Sequence, residues 1–141
     1  MLPSGSREAK EILISARLKR TPGRVEALAV LLRARSPLSH QEILERTSLS
    51  RVSVYRALES FRAAGIVHRI EAGDRLWRFA VCDCGHSVHC HPHFTCRLCG
   101  EVQCLNRVAL PAMSGALGGC RVEELEVYLR GVCAKCLGKE A

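Results

Sequence analysis

The first 81 residues of this 141-residue chain contain no cysteine, and residues 81–141 contain no surplus of positive charge. All nine cysteines lie from Cys82 onward, together with four of the six histidines. Residues 1–80 instead hold 15 Lys and Arg against 8 Asp and Glu, while residues 81–141 hold 6 of each. Two modules of different chemistry follow, one basic and one rich in Cys and His. A chain of this length holds one ordinary domain or two small ones, and halves this short gain from a second stabilising device such as a metal. Also missing is the basic-then-apolar opening of a secretion signal, and the longest apolar run, Val25 to Leu32, is interrupted by Glu26 and too short to span a bilayer. A soluble, cytoplasmic protein with no membrane segment is expected. Without a secretion signal, an odd number of cysteines does not suit a disulfide framework and leaves metal binding or redox sensing. The basic half points to a polyanion, because clustered Lys and Arg gain affinity by displacing counterions from phosphate. A merely solvated surface would carry the same charge.

In that basic half, Val25, Leu28, Ala29 and Leu32 recur at helical spacing after Pro22 and Gly23, and Ser36-Pro37 ends the helix they predict. Ser39 and Glu42 form a capping box for a short second helix running to about Arg46. After the Thr47-Ser48-Leu49 turn, Ser50 can cap a third helix with Val54, Ala57, Leu58 and Phe61 on one face and Val52, Tyr55, Arg56 and Glu59 on the other, terminated by Gly65. A short helix, a tight turn and a longer helix with Arg51, Tyr55 and Arg56 near its start make a helix-turn-helix, whose second helix reads the DNA major groove. Two strands, Ile66 to Ile70 and Leu76 to Val81, joined at Glu71-Ala72-Gly73-Asp74, complete it as a wing. A three-helix scaffold that binds no DNA is the plainer alternative.

The second half carries Cys96-Arg97-Leu98-Cys99 and Cys133-Ala134-Lys135-Cys136, two C-x-x-C pairs with 33 residues between them. Each spacing lets a tight turn aim two thiolates at one ion, and two turns complete the tetrahedral S₄ shell that zinc prefers. So long an interval must itself fold, with Val102 to Leu105 as a strand, Val108 to Leu117 as a short helix and Val122 to Arg130 as a strand. Cys120 reads as a buried small residue. The cluster of Cys82, Cys84, His86, His89, Cys90, His91 and His93 offers seven thiol or imidazole donors in twelve residues, too many for packing alone, although a His-rich loop of opportunistic affinity would look similar. From Cys82 to Cys104 the only carboxylates are Asp83 and Glu101, which favours Zn²⁺ over Fe²⁺ or Mn²⁺. A thioredoxin-like role lacks its βαβ context. A zinc deaminase would want an H-x-E motif and a proline before a C-x-x-C, where Thr95 and Val132 stand, so no enzyme is expected.

Three ordered motifs resemble those of ferric uptake regulator superfamily repressors: Arg20-Thr21-Pro22-Gly23-Arg24, Val54-Tyr55-Arg56-Ala57-Leu58, and His91-Pro92-His93-Phe94-Thr95-Cys96-Arg97-Leu98-Cys99-Gly100. The zinc uptake regulators are the most similar subgroup. The resemblance implies an α+β chain and a homodimer. Residues 1–82 would form a winged-helix DNA-binding domain, 83–95 a hinge and metal-ligand loop, and 96–141 a small α/β dimerisation domain. It implies one structural zinc per chain at Cys96, Cys99, Cys133 and Cys136, and at least one regulatory zinc. The matching regulatory positions are His68, Cys82 and one or more of His89, His91 and His93. Cys104 stands where an acidic ligand is usual, and the loop from Asp83 to Cys90 is longer than the family's, which leaves the ligand set open. No Asp matches the one peroxide sensors use.

The mechanism so implied is a population shift in which regulatory zinc removes hinge freedom and sets two recognition helices about 34 Å apart on an inverted repeat, repressing uptake genes. Tyr55, Arg51 and Arg56 would read the double-stranded DNA, with Lys19, Arg20 and Arg24 on phosphates. The alternatives are an iron- or peroxide-responsive relative and a constitutive DNA-binding protein with only the structural zinc.

Overall fold

A computed structural model describes residues 4–71, 73–81, 92–105, 118–120 and 127–140. The chain divides into two compact units, Met1–Cys82 and Asp83–Ala141. Among the described residues no helix is long and apolar enough to cross a membrane.

The first unit runs α1 (Ser4–Ser15), α2 (Pro22–Arg33), β1 (Leu38–Ser39), α3 (His40–Glu45), α4 (Arg51–Ala63), β2 (Val67–Glu71) and β3 (Trp77–Val81). Its helices start where short polar side chains take up free backbone donors. Thr21 Oγ1 accepts from Arg24 N at 3.3 Å, and Ser50 Oγ from Ser53 N at 3.2 Å. Ser39 closes the full capping box, its Oγ accepting from Glu42 N at 3.2 Å while its own N–H donates to Glu42 Oε2 at 2.7 Å. Each such cap contributes about 1 kcal/mol. Helix α4 ends in a Schellman motif, with Gly65 at φ 74°, Gly65 N bonded to Arg62 O and Ile66 N to Phe61 O. That turn feeds the chain directly into β2.

The apolar faces of these helices close on one core containing Leu13, Leu28, Ile43, Val54, Leu58 and Phe61. β2 and β3 pair antiparallel, Val67 opposite Val81 and Glu71 opposite Trp77, and the two-residue β1 joins the free edge of β3 to give the order β1-β3-β2. The wing predicted from sequence is therefore a three-stranded sheet, and α1 is a further helix packed on α2.

In the second unit β4 (His93–Cys96) lies between β5 (Val102–Cys104), antiparallel to it, and β6 (Tyr128–Gly131), parallel to it. Helix α5 (Ala134–Glu140) follows. Residues 93–95, assigned to a hinge loop from sequence, belong to this central strand, because their backbone groups pair on both sides. Cys120 is exposed rather than buried, carried out to the surface after Gly118 and Gly119, both at positive φ. The helix expected at Val108 to Leu117, the strand residues Val122 to Glu126, and Cys82, Cys84, His86, His89, Cys90 and His91 lie outside the described residues.

Candidate functional site

Helix α4 buries Val54, Ala57, Leu58 and Phe61 and so turns Arg51, Val52, Tyr55, Arg56 and Glu59 to solvent. Tyr55 is 59 % exposed and Val52 57 %. Arg51 is the first residue of α4, and the first turn holds no acidic residue. A cation at the positive end of a helix dipole costs about 0.3–1 kcal/mol, so its retention fits a polyanionic partner better than it fits stability. Lys19 and Arg20 are exposed ahead of α2, whose first turn also lacks an acid. Arg24 is half-buried and donates through Nη1 to Lys19 O at 3.2 Å, tying that basic segment to the helix start.

Residues with no local signal in the sequence hold this surface in place. Glu26 on α2 reaches across 22 positions to accept from Ser48 N at 2.5 Å and Ser48 Oγ at 2.9 Å, anchoring the turn between α3 and α4. Only the fold brings these two together.

Cys96, Cys99, Cys133 and Cys136 converge in the second unit, their Sγ atoms all within 4.8 Å of one another. Each pair sits on a tight turn. Gly100 N donates to Cys96 O at 3.0 Å with Gly100 at φ 76°, and Cys136 N and Leu137 N both donate to Cys133 O, at 3.0 and 2.9 Å. The turns are joined by Arg97 N to Gly131 O at 2.8 Å and by Cys133 N to Cys96 Sγ at 3.4 Å. At Gly131 even a Cβ would stand 3.3 Å from the Phe94 ring, so the strand leading into the second pair must stay this slim.

The sulfur geometry fits zinc. Zn–S bonds of about 2.3 Å in a tetrahedron set neighbouring sulfurs roughly 3.8 Å apart, and Cys99 Sγ lies 3.8 Å from Cys133 Sγ. Backbone N–H donors from Cys99, Cys133 and Leu98 bring the Cys96 thiol down to about 6. Hydrogen bonding to Cys133 and burial push Cys136 up to about 12. One thiolate thus stands among thiols that share its charge, an arrangement completed when a dication displaces the remaining protons.

Of the other predicted ligands, His93 and Cys104 face each other in the β4–β5 register. Their donor atoms lie within 4.8 Å. His93 is only 7 % exposed and its ring stands 5.9 Å from that of Tyr128 on β6. A buried imidazole beside a thiol is a mixed N/S donor pair. His68 is half-buried on β2 of the first unit, opposite Ala80.

Comparison with known proteins gives this geometry its relatives. A zinc uptake regulator complexed with zinc and DNA superposes with a TM-score of 0.70 at 21 % identity, covering 99 % of each chain. The holo form of the regulator XcZur gives 0.67 at 23 % identity over 94 % of this chain and 99 % of the other. The Helicobacter pylori ferric uptake regulator gives 0.63 at 20 % identity over 98 % and 95 %. At these identities the likeness shows the shared fold. Among curated proteins there is no significant match. The sequence model of the ferric uptake regulator family matches residues 15–115, a span that takes in the recognition helix, the wing, the first C-x-x-C pair and the His93–Cys104 pairing, and the chain belongs to that family of transcription regulators.

Proposed function

We propose that this chain is a zinc-responsive repressor that binds an inverted-repeat operator as a homodimer and controls metal uptake or homeostasis genes. That it is a DNA-binding metalloregulator follows from the family; zinc as the signal is our reading. Solved relatives include iron and manganese regulators as well as zinc regulators, so the choice rests on donor chemistry. The observation that carries it is the His93–Cys104 pair. The pair itself offers imidazole and thiol, donors that select zinc, whereas Fe²⁺ and Mn²⁺ are usually held with carboxylates present.

The structural zinc would be held by Cys96, Cys99, Cys133 and Cys136. For the regulatory ion we propose His68, Cys82, His93 and Cys104, with His89 and His91 as further donors. These come from both units, and what recommends them is their softness. Zinc supplies charge and a fixed coordination geometry there; the residues' task is to be held jointly, which limits hinge freedom and favours the DNA-competent arrangement. In that arrangement Arg51, Tyr55 and Arg56 reach bases while Lys19, Arg20 and Arg24 contact phosphates.

Binding of the pure protein to a duplex selected from a random pool, followed by fluorescence anisotropy at fixed salt with free Zn²⁺, Fe²⁺ and Mn²⁺ buffered separately, tests the reading. Affinity should rise steeply with zinc alone. Cys104→Ala, Cys82→Ala and His68→Ala should each blunt that response while one zinc per chain remains by elemental analysis. A response to iron instead would overturn the donor argument, and metal-indifferent binding would leave a constitutive DNA-binding protein with one structural zinc.

A further inference from the structure

We propose that the DNA-reading surface extends onto α3: His40 contacts the DNA backbone directly, and Gln41 is a positioning residue that aims Arg51. This rests on the reading that the chain binds DNA through α4.

The geometry is a short relay. Arg51 donates from Nη2 to Gln41 Oε1 at 3.4 Å, and Gln41 donates from Nε2 to Glu45 Oε1 at 3.2 Å. The Gln41 amide has one workable orientation. Turned over, its NH₂ would face a guanidinium that has only donors, and its oxygen would face a carboxylate that has only acceptors. Glu45 therefore fixes Gln41, and Gln41 fixes Arg51, at the cost of one of the five guanidinium N–H groups. The rest of the fork stays available for a bidentate contact to guanine O6 and N7. Without Gln41, an exposed arginine at the first position of a helix would spread over many rotamers, and ordering it on DNA would consume part of the contact's free energy.

His40 begins α3 beside this relay. Its ring centroid is 6.5 Å from that of Tyr55, inclined at 46°, and it is half-exposed while Gln41, Arg51 and Tyr55 are exposed. The four side chains thus form one continuous polar surface from two helices. Burial, and then the charge of Arg51, disfavour the imidazolium. A neutral ring sits beside Arg51 without repulsion and still offers one N–H to a phosphate oxygen.

Exposed hydrogen bonds this long contribute little to folding. The DNA readout therefore separates a reading surface from a merely structural one. Zinc-loaded full-length wild type, His40→Ala, Gln41→Ala, Arg51→Ala and the Gln41→Ala/Arg51→Ala double variant are titrated onto a selected operator duplex and a scrambled duplex of equal length. Gln41→Ala should weaken operator binding about fivefold, the scale of one ordinary net hydrogen bond, with scrambled-duplex binding and melting temperature unchanged. In the Arg51→Ala background it should have no further effect, because nothing remains to be aimed. His40→Ala should weaken binding to both duplexes about threefold, as loss of one phosphate contact would. Additivity of Gln41→Ala with Arg51→Ala, an equal loss on both duplexes from Gln41→Ala, or wild-type binding by His40→Ala would overturn the assignment. A wild type that binds neither duplex would bring down the DNA reading itself, an outcome distinct from wild-type binding with indifferent variants.

Discussion

The two units bury different things. The first closes Leu13, Leu28, Ile43, Val54, Leu58 and Phe61 into an apolar core assembled from four helices and a sheet. In the described part of the second the buried cluster is Cys96, Cys133 and Cys136, with Phe94 and Val132 packed against it, and Pro92, His93 and Val102 are buried besides. The first unit needs no ion to exclude water, whereas three thiols make a poor core until something binds them together. Stripping zinc with a strong chelator, or Cys133→Ser, should therefore unfold one unit and leave the other. The loss expected is on the order of 10 kcal/mol, the contribution of a structural zinc to a small domain. Hydrogen exchange read by mass spectrometry should show protection lost over β4 to β6 and kept over α2 and α4. A uniform loss across the chain would mean that the two units fold as one.

The converse substitution sharpens the same contrast. Phe61→Ala empties the largest fully buried side chain of the first unit and should cost about 3–5 kcal/mol there. Zinc content should stay unchanged, which a denaturant titration paired with metal analysis would read. Smaller still is Glu26→Gln, which keeps the shape but weakens the acceptor for Ser48. A stability loss of about 1 kcal/mol is expected, since hydrogen bonds to a charged group are worth about 1.5–3 kcal/mol and this one is partly screened by solvent. Operator affinity should fall with it, because the turn it anchors sets the start of α4.

What could be read from the sequence was what local chemistry dictates. Thr21-Pro22, the Ser39/Glu42 box, Ser50 and Gly65 each act within a few residues, and α2, α3, α4 and the wing follow from them with ends shifted by a residue or two. The two C-x-x-C pairs were legible because four thiols at that spacing have so few other uses. Helix α1 escaped notice: Ala9 and Leu13 are its fully buried apolar residues, too sparse a stripe to stand out. β1 has two residues and exists only because β3 offers an edge. β4 lacks alternating hydrophobics, and its hydrogen bonds come from β5 and, in parallel, from β6 some thirty residues away. α5 is seven residues long and interrupted by Gly138. Glu26–Ser48 and the Arg51–Gln41 contact are likewise products of the fold, whereas Gln41–Glu45 is an ordinary i,i+4 pair of one helix.

The smallest effect in the comparison belongs to the wing, where the first unit also uses charge. Arg78 grips Asp74 with two parallel bonds, Nη1 to Oδ1 at 3.1 Å and Nη2 to Oδ2 at 2.7 Å, while Leu76 N donates to Oδ1 at 3.1 Å. These interactions, led by the guanidinium hydrogen bonds, hold the Asp74 carboxyl below the usual carboxylate range. Because the folded value is the depressed one, the contribution is fully present above the unfolded value of about 3.9 and fades as pH falls through the folded value. Asp74 is 43 % exposed, so screening limits the pair to at most about 1 kcal/mol. Asp74→Asn should thus lower the first unit's stability slightly at pH 7, by an amount that shrinks as pH falls through the folded value. Urea midpoints of wild type and variant should converge on acidification. If the gap persisted at the lowest pH, Asp74 would be acting through the Leu76 turn alone, and the wing, like the rest of its unit, would owe its stability to packing and backbone bonds.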